Sequence, residues 1–209
     1  LGTVLIDVGA GTTGIAVYDE HKLTAVSVSP VGASNITNDI AVGLKIPVMA
    51  AESLKLEYAY ALAKDVSIRD AVDISAYAAD ARGVVSRRFI AEIVESRLAE
   101  MFEFVHTELK GVGKVGELPG GGVVVGGGAK LPGITNLIKR ELKLSTQIGL
   151  PLSEEWHIEN ANFTESFEDP EFVTALGLVL WGADEQQWRP RMGSAERFAF
   201  KNILRYFSP

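Results

Sequence analysis

The 209-residue sequence contains no cysteine. This absence excludes a disulfide framework, thiolate metal sites and cysteine nucleophiles, and it is typical of a reducing compartment. Histidine is scarce as well, with three residues standing far apart at His21, His106 and His157. Because a zinc site needs several such ligands close together, zinc-dependent chemistry is not expected.

Long apolar runs and an excess of positive charge are also missing. No stretch reaches the roughly 18 consecutive apolar residues of a membrane-spanning helix, and none resembles a signal peptide. The formal net charge of −7 argues against nucleic acid as a partner. What is present is 47% hydrophobic residues, which suits one large domain or two small lobes. We expect a soluble, intracellular chain that is part of a longer protein, because its first residues already look like a buried strand.

Apolar runs alternate with turn residues at the start of the chain. Three short strands joined by tight turns fit this pattern, over residues 1–8, 12–18 and 23–31. The first run is apolar throughout, which is typical of a central strand. The sequence therefore predicts that a β-meander opens the fold.

Helical periodicity follows the meander. One helix is predicted with Ser34 as its cap and Pro47 as its end, and a second begins near Val48. The clearest helix runs from Ser86 to about Leu109 and carries one broad apolar stripe that begins at Phe89. Further predicted elements are short strands within 63–85, a strand at 123–125, a helix over 131–142, a strand over 146–149, an acidic loop over 152–170 and a helix over 172–181. This alternation predicts an α/β fold.

Asp7 to Gly14 forms a glycine- and threonine-rich turn between two apolar strands. A turn with few side chains lets backbone N–H groups approach a phosphate, and threonine hydroxyls add donors. A carboxylate at the end of the first strand could hold hydrated Mg²⁺. An ordinary glycine-rich hairpin with an exposed aspartate fits equally well, because the pattern is neither a Walker loop nor a dinucleotide fingerprint.

A second glycine turn, Gly126-Gly127-Gly128, follows a short apolar strand about 115 residues after Gly11. Three glycines between a strand and a helix permit a flat ligand such as adenine to lie against the backbone. Taken alone, this turn is better explained as a flexible connection needed for close packing. Its order and spacing relative to the first turn favour the ligand-binding interpretation.

The two turns together resemble the second phosphate loop and the adenosine loop of the actin and heat-shock-chaperone ATPase superfamily. More narrowly, the sequence resembles the FtsA family of bacterial cell-division proteins at Asp7 to Ala16, Ile36 to Ala41, Ala51 to Lys55, Ile93 to Arg97 and Ala175 to Leu178. The resemblance covers roughly residues 1–182. It implies the second actin-like lobe only: a ribonuclease H-like sheet with flanking helices over 1–32 and 121–182, a smaller inserted α/β subdomain over 33–120, and a linker with a terminal segment over 183–209.

The resemblance also implies a site for ATP and Mg²⁺. Asp7 would hold Mg²⁺ through water, while Glu52 and Lys55, one helical turn apart, would meet the ribose or the adenine edge. A solvated ion pair on a helix surface is the alternative for Glu52 and Lys55. The residues that would cradle phosphates are Gly9, Gly11, Thr12 and Thr13, and those that would wrap the adenosine are Gly126, Gly127 and Gly128.

Three positions depart from the family pattern. Ala10 replaces a usual glycine, Gly14 a usual aspartate, and Val125 a usual threonine. In actin-like ATPases the position of Gly14 lies near the attacking water. We therefore expect at most slow ATP hydrolysis and assign no catalytic residue.

Three arginines are candidates for binding a partner. In the FtsA family the smaller subdomain receives the acidic and apolar C-terminal tail of FtsZ, and a guanidinium can grip a carboxylate with two hydrogen bonds. Arg87, Arg88 and Arg97 are the residues that could do so. An ordinary solvated helix start is the alternative for Arg87 and Arg88, and a structural ion pair is the alternative for Arg97.

A short basic amphipathic helix is predicted at the C-terminus. Phe200, Ile203, Leu204 and Phe207 recur at i, i+3, i+4 and i+7, which is typical of a segment that lies on a membrane surface. The resemblance strengthens this interpretation, because FtsA ends in such a helix behind a linker. A last helix packed on the domain is the alternative.

The resemblance as a whole implies a cell-division adaptor. Such a protein would bind ATP, self-associate into actin-like filaments and tether FtsZ filaments to the cytoplasmic face of the cell membrane at the division site, where it helps to assemble the septum. The alternative is another actin-superfamily protein, either a rod-shape or pilus-assembly cytoskeletal ATPase or a sugar kinase. A kinase would need a catalytic carboxylate in the first lobe, which this sequence does not contain.

Overall fold

The computed structural model describes residues 2–78, 83–151 and 168–188, the last six of these by their backbone alone. Two compact units are present, residues 1–173 and residues 174–209. The strands are β1 (Thr3–Val8), β2 (Thr13–Asp19), β3 (Lys22–Ser29), β4 (Ala71–Asp73), β5 (Val84–Ser86), β6 (Gly122–Val125) and β7 (Thr146–Ile148). The helices are α1 (Ala33–Leu44), α2 (Val48–Tyr58), α3 (Arg87–Gly111), α4 (Ile134–Leu142) and α5 (Val173–Trp188). The predicted α/β class is confirmed.

A five-stranded mixed sheet organises the first unit, with the strand order β3-β2-β1-β6-β7. The predicted meander is confirmed, because β1, β2 and β3 pair antiparallel in sequence. β6 and β7 continue the sheet parallel to β1, so the carboxyl ends of these three strands lie at one edge. This arrangement brings the turn after β1 beside the turn after β6.

The central position predicted for the first strand is also confirmed, since β1 lies between β2 and β6. Its side chains alternate, however. Val4, Ile6 and Val8 are fully buried, whereas Leu5 and Asp7 on the other face are half-buried. The side chains of the apolar run therefore lie on both faces of β1, one fully buried and the other half-buried, and Asp7 lies on the half-buried face.

Helices α1 and α2 begin and end differently from the sequence prediction. Ser34 lies inside the first turn of α1, and the cap position is Gly32, whose N–H donates to Asn35 Oδ1 at 3.0 Å. Pro47 does not end α1, because Lys45 already leaves the helix with a left-handed backbone (φ 55°). Pro47 instead occupies the cap position of α2. A proline suits that place because it brings no N–H that would need a partner.

Helix α3 begins after Ser86 as predicted and supplies much of the core. Its stripe comprises Ile90, Ala91, Val94, Leu98, Met101, Phe102, Val105 and Leu109, all buried. Phe89 was predicted within this stripe, and the structure corrects this, since Phe89 is 44% exposed. Phe89 lies one position before the first buried residue of the stripe. Periodicity alone does not distinguish the edge of an apolar stripe from its centre.

Other predicted elements are shifted or extended. The short strands predicted within 63–85 are confirmed as the antiparallel pair β4 and β5. Helix α4 begins at Ile134 rather than 131, because Gly133 adopts a left-handed backbone (φ 84°) at the cap position. Helix α5 continues to Trp188. The predicted acidic loop lies almost wholly outside the described residues, as do all four residues of the predicted membrane segment: Phe200, Ile203, Leu204 and Phe207.

Glu95 joins α3 to two other parts of the first unit. One carboxylate oxygen accepts the N–H of Ala63 at 2.6 Å, and the other pairs with Arg140 of α4 at 2.5 Å. Burial alone would raise the pKa of Glu95, but the hydrogen bonds from Ala63 and Arg140 outweigh it and hold the pKa below its usual value. These contacts tie the segment that follows α2 to the helix that follows the second glycine turn.

Candidate functional site

The loop of residues 9–12 connects β1 to β2 as a tight turn. Gly9 donates its N–H to the carbonyl of Thr12 at 2.9 Å. Ala10, Gly11 and Thr12 are exposed, and a Cβ built on Gly11 would meet nothing within 4 Å. The outer side of this loop is therefore open to a ligand that can accept hydrogen bonds.

The start of α1 holds this loop in place. Ala33 and Ser34 donate their N–H groups to the carbonyls of Gly9 and Ala10, at 2.9 and 2.8 Å. Gly32 lies so close that a Cβ there would come within 2.5 Å of the Ala10 carbonyl oxygen and 2.6 Å of the Thr12 nitrogen. Sequence analysis missed Gly32 as a residue that shapes the site, although a glycine directly before a helix was a possible signal.

The two threonines of the loop have different environments. Thr12 is exposed, whereas Thr13 is only 1% exposed and donates its hydroxyl to the Val31 carbonyl at 2.8 Å. The Thr13 hydroxyl thus joins the start of β2 to the second residue after β3. Of the two, Thr12 is the one placed to meet a ligand directly.

Asp7 lies where the two glycine turns meet. It is opposite Gly14 in the antiparallel pair and opposite Val125 in the parallel pair. Asp7 Oδ1 lies so close to Gly126 that a Cβ on Gly126 could not fit. A Cβ on Gly14 would lie 3.6 Å from Asp7 Cβ. The structure therefore brings the predicted metal-holding carboxylate and both turns together at one sheet edge, where α/β proteins commonly bind ligands.

The three glycines of the second turn have different surroundings. Gly126 has a left-handed backbone (φ 84°) and donates its N–H to the Pro170 carbonyl at 2.9 Å. Gly128 is buried, and a Cβ there would lie 2.8 Å from Val8 Cβ and closer still to Val8 Cγ1. Gly127 is exposed, and its nearest neighbour for a Cβ would be Glu171 at 3.8 Å. Packing against β1 thus requires Gly126 and Gly128, while Gly127 forms the open surface.

Glu52 and Lys55 lie on α2 and share a polar cluster with Thr37 of α1. Lys55 Nζ lies 2.8 Å from Glu52 Oε2 and donates to Thr37 Oγ1 at 2.9 Å, while the Thr37 hydroxyl donates to Glu52. The side chain of Lys55 is 11% exposed and that of Glu52 39%. Burial would raise the pKa of Glu52, but hydrogen bonds from Lys55 and Thr37 outweigh this and lower it.

This cluster is connected to the first loop. Lys55 Nζ also lies 3.4 Å from the carbonyl oxygen of Ala33, the residue whose N–H binds Gly9. Lys55 is thus held inward, toward the first turn of α1, rather than solvated as a free surface lysine. The structure places Glu52 and Lys55 beside the helix start that supports the loop.

Arg97 is already bound to carboxylates within the chain. Its Nε and Nη2 pair with the two carboxylate oxygens of Asp39 at 2.5 and 2.9 Å, and its Nη1 pairs with Glu100 at 2.7 Å. The hydrogen bonds to Asp39 raise the pKa of Arg97 above its ordinary value. An open cleft of about 380 Å³ adjoins this pair and is lined by Asp39, Glu92, Ile93, Ser96, Arg97 and Glu100. Carboxylates outnumber the guanidinium in this lining.

Arg87 and Arg88 differ from Arg97 in their contacts. Arg87 donates from Nε to the Tyr58 carbonyl at 3.1 Å and lies 3.7 Å from Asp70. Arg88 lies 3.8 Å from Glu92 in a long, exposed ion pair. The structure does not gather the three arginines into one cluster of bare guanidinium groups, and Arg88 is the least engaged of them.

Two classes of site are not found in the parts of the chain that the structure covers. No helix there is long and apolar enough to cross a membrane. No group of three or more histidine, aspartate and glutamate side chains is placed to hold a metal ion within the same ranges.

Solved structures similar to this fold belong to actin-like proteins. MreB5 of Spiroplasma citri, solved bound to ADP, has a TM-score of 0.65 at 16% identity, covering 89% of this chain and 54% of that one. The PilM-PilN type IV pilus biogenesis complex has a TM-score of 0.60 at 23% identity, covering 87% and 46%. The archaeal actin homologue Ta0583 has a TM-score of 0.56. The predicted actin-like fold is therefore confirmed.

Sequence comparisons point to one family. The family model for the cell division protein FtsA matches residues 4–177. The FtsA proteins of Pseudomonas aeruginosa and Bacillus subtilis are each 32% identical, over 89% and 86% of this chain, and that of Borreliella burgdorferi is 33% identical over 98%. The chain spans 43%, 38% and 48% of these relatives respectively, less than half of each. The chain thus belongs to the FtsA family of cell-division proteins.

Proposed function

We propose that this chain forms part of an ATP-binding cell-division adaptor. The observation that carries the proposal is the meeting of both glycine turns at Asp7, at the carboxyl edge of β1 and β6. The exposed backbone of residues 9–12 suits phosphate oxygens, and the exposed face of Gly127 suits a nucleoside. Asp7 would hold Mg²⁺ through water, and the ion would neutralise phosphate charge.

The adaptor role rests on family membership together with the inserted segment of residues 33–120. We propose that this segment receives the C-terminal tail of FtsZ and that the gene product self-associates into filaments. Residues 200–207 would bind the inner leaflet of the cytoplasmic membrane at the division site. Binding of an FtsZ tail peptide by the gene product is the direct test of this role.

The Mg²⁺ assignment is tested by changing Asp7 to asparagine in the full gene product. Wild-type affinity for ATP is expected to rise at least tenfold when Mg²⁺ replaces EDTA, because the ion would neutralise phosphate charge and be held by Asp7 through water. Asp7→Asn should lose most of that gain while keeping the metal-free affinity. Asp65→Asn, which changes an exposed aspartate far along the chain, is the matched control. An Asp7→Asn variant with the full Mg²⁺ gain would contradict the assignment.

Hydrolysis is expected to be slow, because Gly14 offers no side chain to orient an attacking water. The backbone leaves room for one, since a Cβ there would make an ordinary contact of 3.6 Å with Asp7 Cβ. Gly14→Asp should therefore raise phosphate release, and Gly14→Asn, which has the same shape without the charge, should raise it less. A wild-type turnover of several per second, which lies in the ordinary enzyme range, would show that the missing side chain is not limiting.

The tail site is tested at Arg97, where an incoming carboxylate must compete with Asp39. Arg97→Ala should weaken binding of an FtsZ tail peptide about tenfold to hundredfold, the typical loss for a charge-assisted contact. Asp39→Asn should strengthen binding, because it removes the negative charge and one of the two acceptor oxygens that hold Arg97. Arg69→Ala, at an exposed arginine of the same segment, is the control. If Arg97→Ala lowers the thermal midpoint and leaves peptide affinity unchanged, then Arg97 serves only as a structural ion pair.

A further inference from the structure

The residues just before α5 contact the second glycine turn. A short 3₁₀ turn, Pro170–Phe172, is capped by Asp169, whose Oδ1 accepts the N–H of Glu171 at 2.9 Å. The Pro170 carbonyl accepts the N–H of Gly126 at 2.9 Å. A segment more than forty residues away along the chain is thus fixed against the proposed nucleoside-binding surface.

Lys130 joins the second glycine turn to the same segment through two ion pairs. Its Nζ lies 2.7 Å from Asp169 Oδ2 and 2.8 Å from Glu171 Oε2. The hydrogen bonds to Asp169 and then to Glu171 raise the pKa of Lys130, while the hydrogen bond from Lys130 lowers that of Asp169. Lys130 and Asp169 therefore stay charged around neutral pH. One cation holds both carboxylates in a defined position.

The carboxylate of Glu171 is held over Gly127. Its Cδ lies 3.8 Å and its Oε1 4.0 Å from the place where a Gly127 Cβ would be. Oε2 binds Lys130, and Oε1 is the carboxylate oxygen that lies within 4.0 Å of that place. The Glu171 side chain is 56% exposed, so a ligand on Gly127 can reach it. An ionised carboxylate only accepts hydrogen bonds, which restricts the group it can recognise to an N–H or O–H donor.

We propose that Glu171 contacts the nucleoside by accepting a hydrogen bond from it at Oε1, and that Lys130 is the positioning residue that orients Glu171. The proposal rests on the nucleotide-binding function proposed above and adds two residues to that site. The donor is an N–H or O–H of the nucleoside, supplied by the exocyclic amino group of adenine or by a ribose hydroxyl. Either contact is charge-assisted and stronger than one between neutral groups.

The test measures nucleotide affinity of the full gene product with Mg²⁺ present. Glu171→Met removes both acceptor oxygens at similar length and should weaken ATP binding about tenfold to hundredfold. Glu168→Met, an exposed glutamate three residues earlier, is the matched control and should bind ATP as wild type does. The thermal midpoint without nucleotide should be the same for both variants, which separates ligand contact from folding.

Two analogues identify the donor. Inosine triphosphate lacks the exocyclic amino group, and 2′,3′-dideoxy-ATP lacks both ribose hydroxyls. If Glu171 accepts from the amino group, Glu171→Met and wild type should bind inosine triphosphate equally, and if it accepts from the ribose they should bind dideoxy-ATP equally. A loss of the same size with ATP and both analogues would overturn the proposal, because no nucleoside donor would then be involved.

Lys130 is tested by non-additivity. Lys130→Met should weaken ATP binding, Lys130→Arg should restore it, and the exposed Lys139→Met on α4 should have no effect. Because Lys130 acts through Glu171, the double variant should bind ATP no more weakly than Glu171→Met alone. Additive losses would overturn the positioning role. If wild type fails to bind ATP, both the proposed function and this inference fall; if wild type binds and Glu171→Met binds equally well, only this inference falls.

Discussion

Replacing Gly127 with valine is expected to weaken Mg²⁺-ATP binding by the full gene product more than hundredfold. The exposed face of Gly127 is the surface on which the nucleoside would lie, and an isopropyl group there would occupy that space. Folding should be unaffected, because the nearest atom to a Cβ is Glu171 Cδ at 3.8 Å, an ordinary contact. A hundredfold loss corresponds to about 2.7 kcal/mol of binding free energy.

The measurement is an equilibrium titration with ATP, paired with a thermal midpoint determined without nucleotide. Gly111→Val is the control, since Gly111 ends α3 and a Cβ there meets nothing within 4 Å. Both variants should keep the wild-type midpoint, and only Gly127→Val should lose affinity. An unchanged affinity in Gly127→Val would remove the second glycine turn from the nucleotide site and with it the main support for the proposed function.

Replacing the next residue, Gly128, with valine is expected to destabilise the fold instead. A Cβ at Gly128 would lie 2.8 Å from Val8 Cβ and closer still to Val8 Cγ1, both closer than real Cβ contacts allow. Val8 is fully buried on the central strand, so neither partner can turn away into solvent. Overpacking of this kind typically costs 1–3 kcal/mol, and we expect about 3 kcal/mol here because the backbone must move.

Chemical denaturation of Gly128→Val and Gly127→Val, measured side by side, checks this. The unfolding midpoint of Gly128→Val should shift to lower denaturant with little change in slope. Gly127→Val carries the same side chain one residue earlier and serves as the matched reference. Equal midpoints for the two variants would mean that β1 and the second turn are not packed as tightly as the structure indicates.

Local patterns in the sequence predicted most of the fold. The meander was predictable because alternation and tight turns are properties of neighbouring residues, and α3 because its stripe persists over about five turns. Caps were less accurate. Ser34 was the better cap by residue preference, but close contact of Gly32 with Ala10 and Thr12 decides where α1 begins.

Pairings between distant residues were not predictable. Asp39 and Arg97 stand 58 residues apart and Lys130 and Glu171 stand 41 apart, so no local pattern connects them. The sequence therefore offers Arg97 as a group for a partner, with a structural ion pair as the alternative, but it does not identify the carboxylates of that pair. Thr13 was interpreted as a phosphate donor for a similar reason, since its bond to the Val31 carbonyl depends on the strand register.

The two hydrogen bonds from the start of α1 to the carbonyls of Gly9 and Ala10 attach the loop to the helix. Separating them would break both bonds, at about 1 kcal/mol each. Helix α1 therefore connects the loop to α3. Its first turn binds the loop, and Asp39, roughly 7.5 Å farther along the axis at 1.5 Å per residue, pairs with Arg97 of α3. The glycine loop and the cleft beside Arg97 are thus held by two points on one helix.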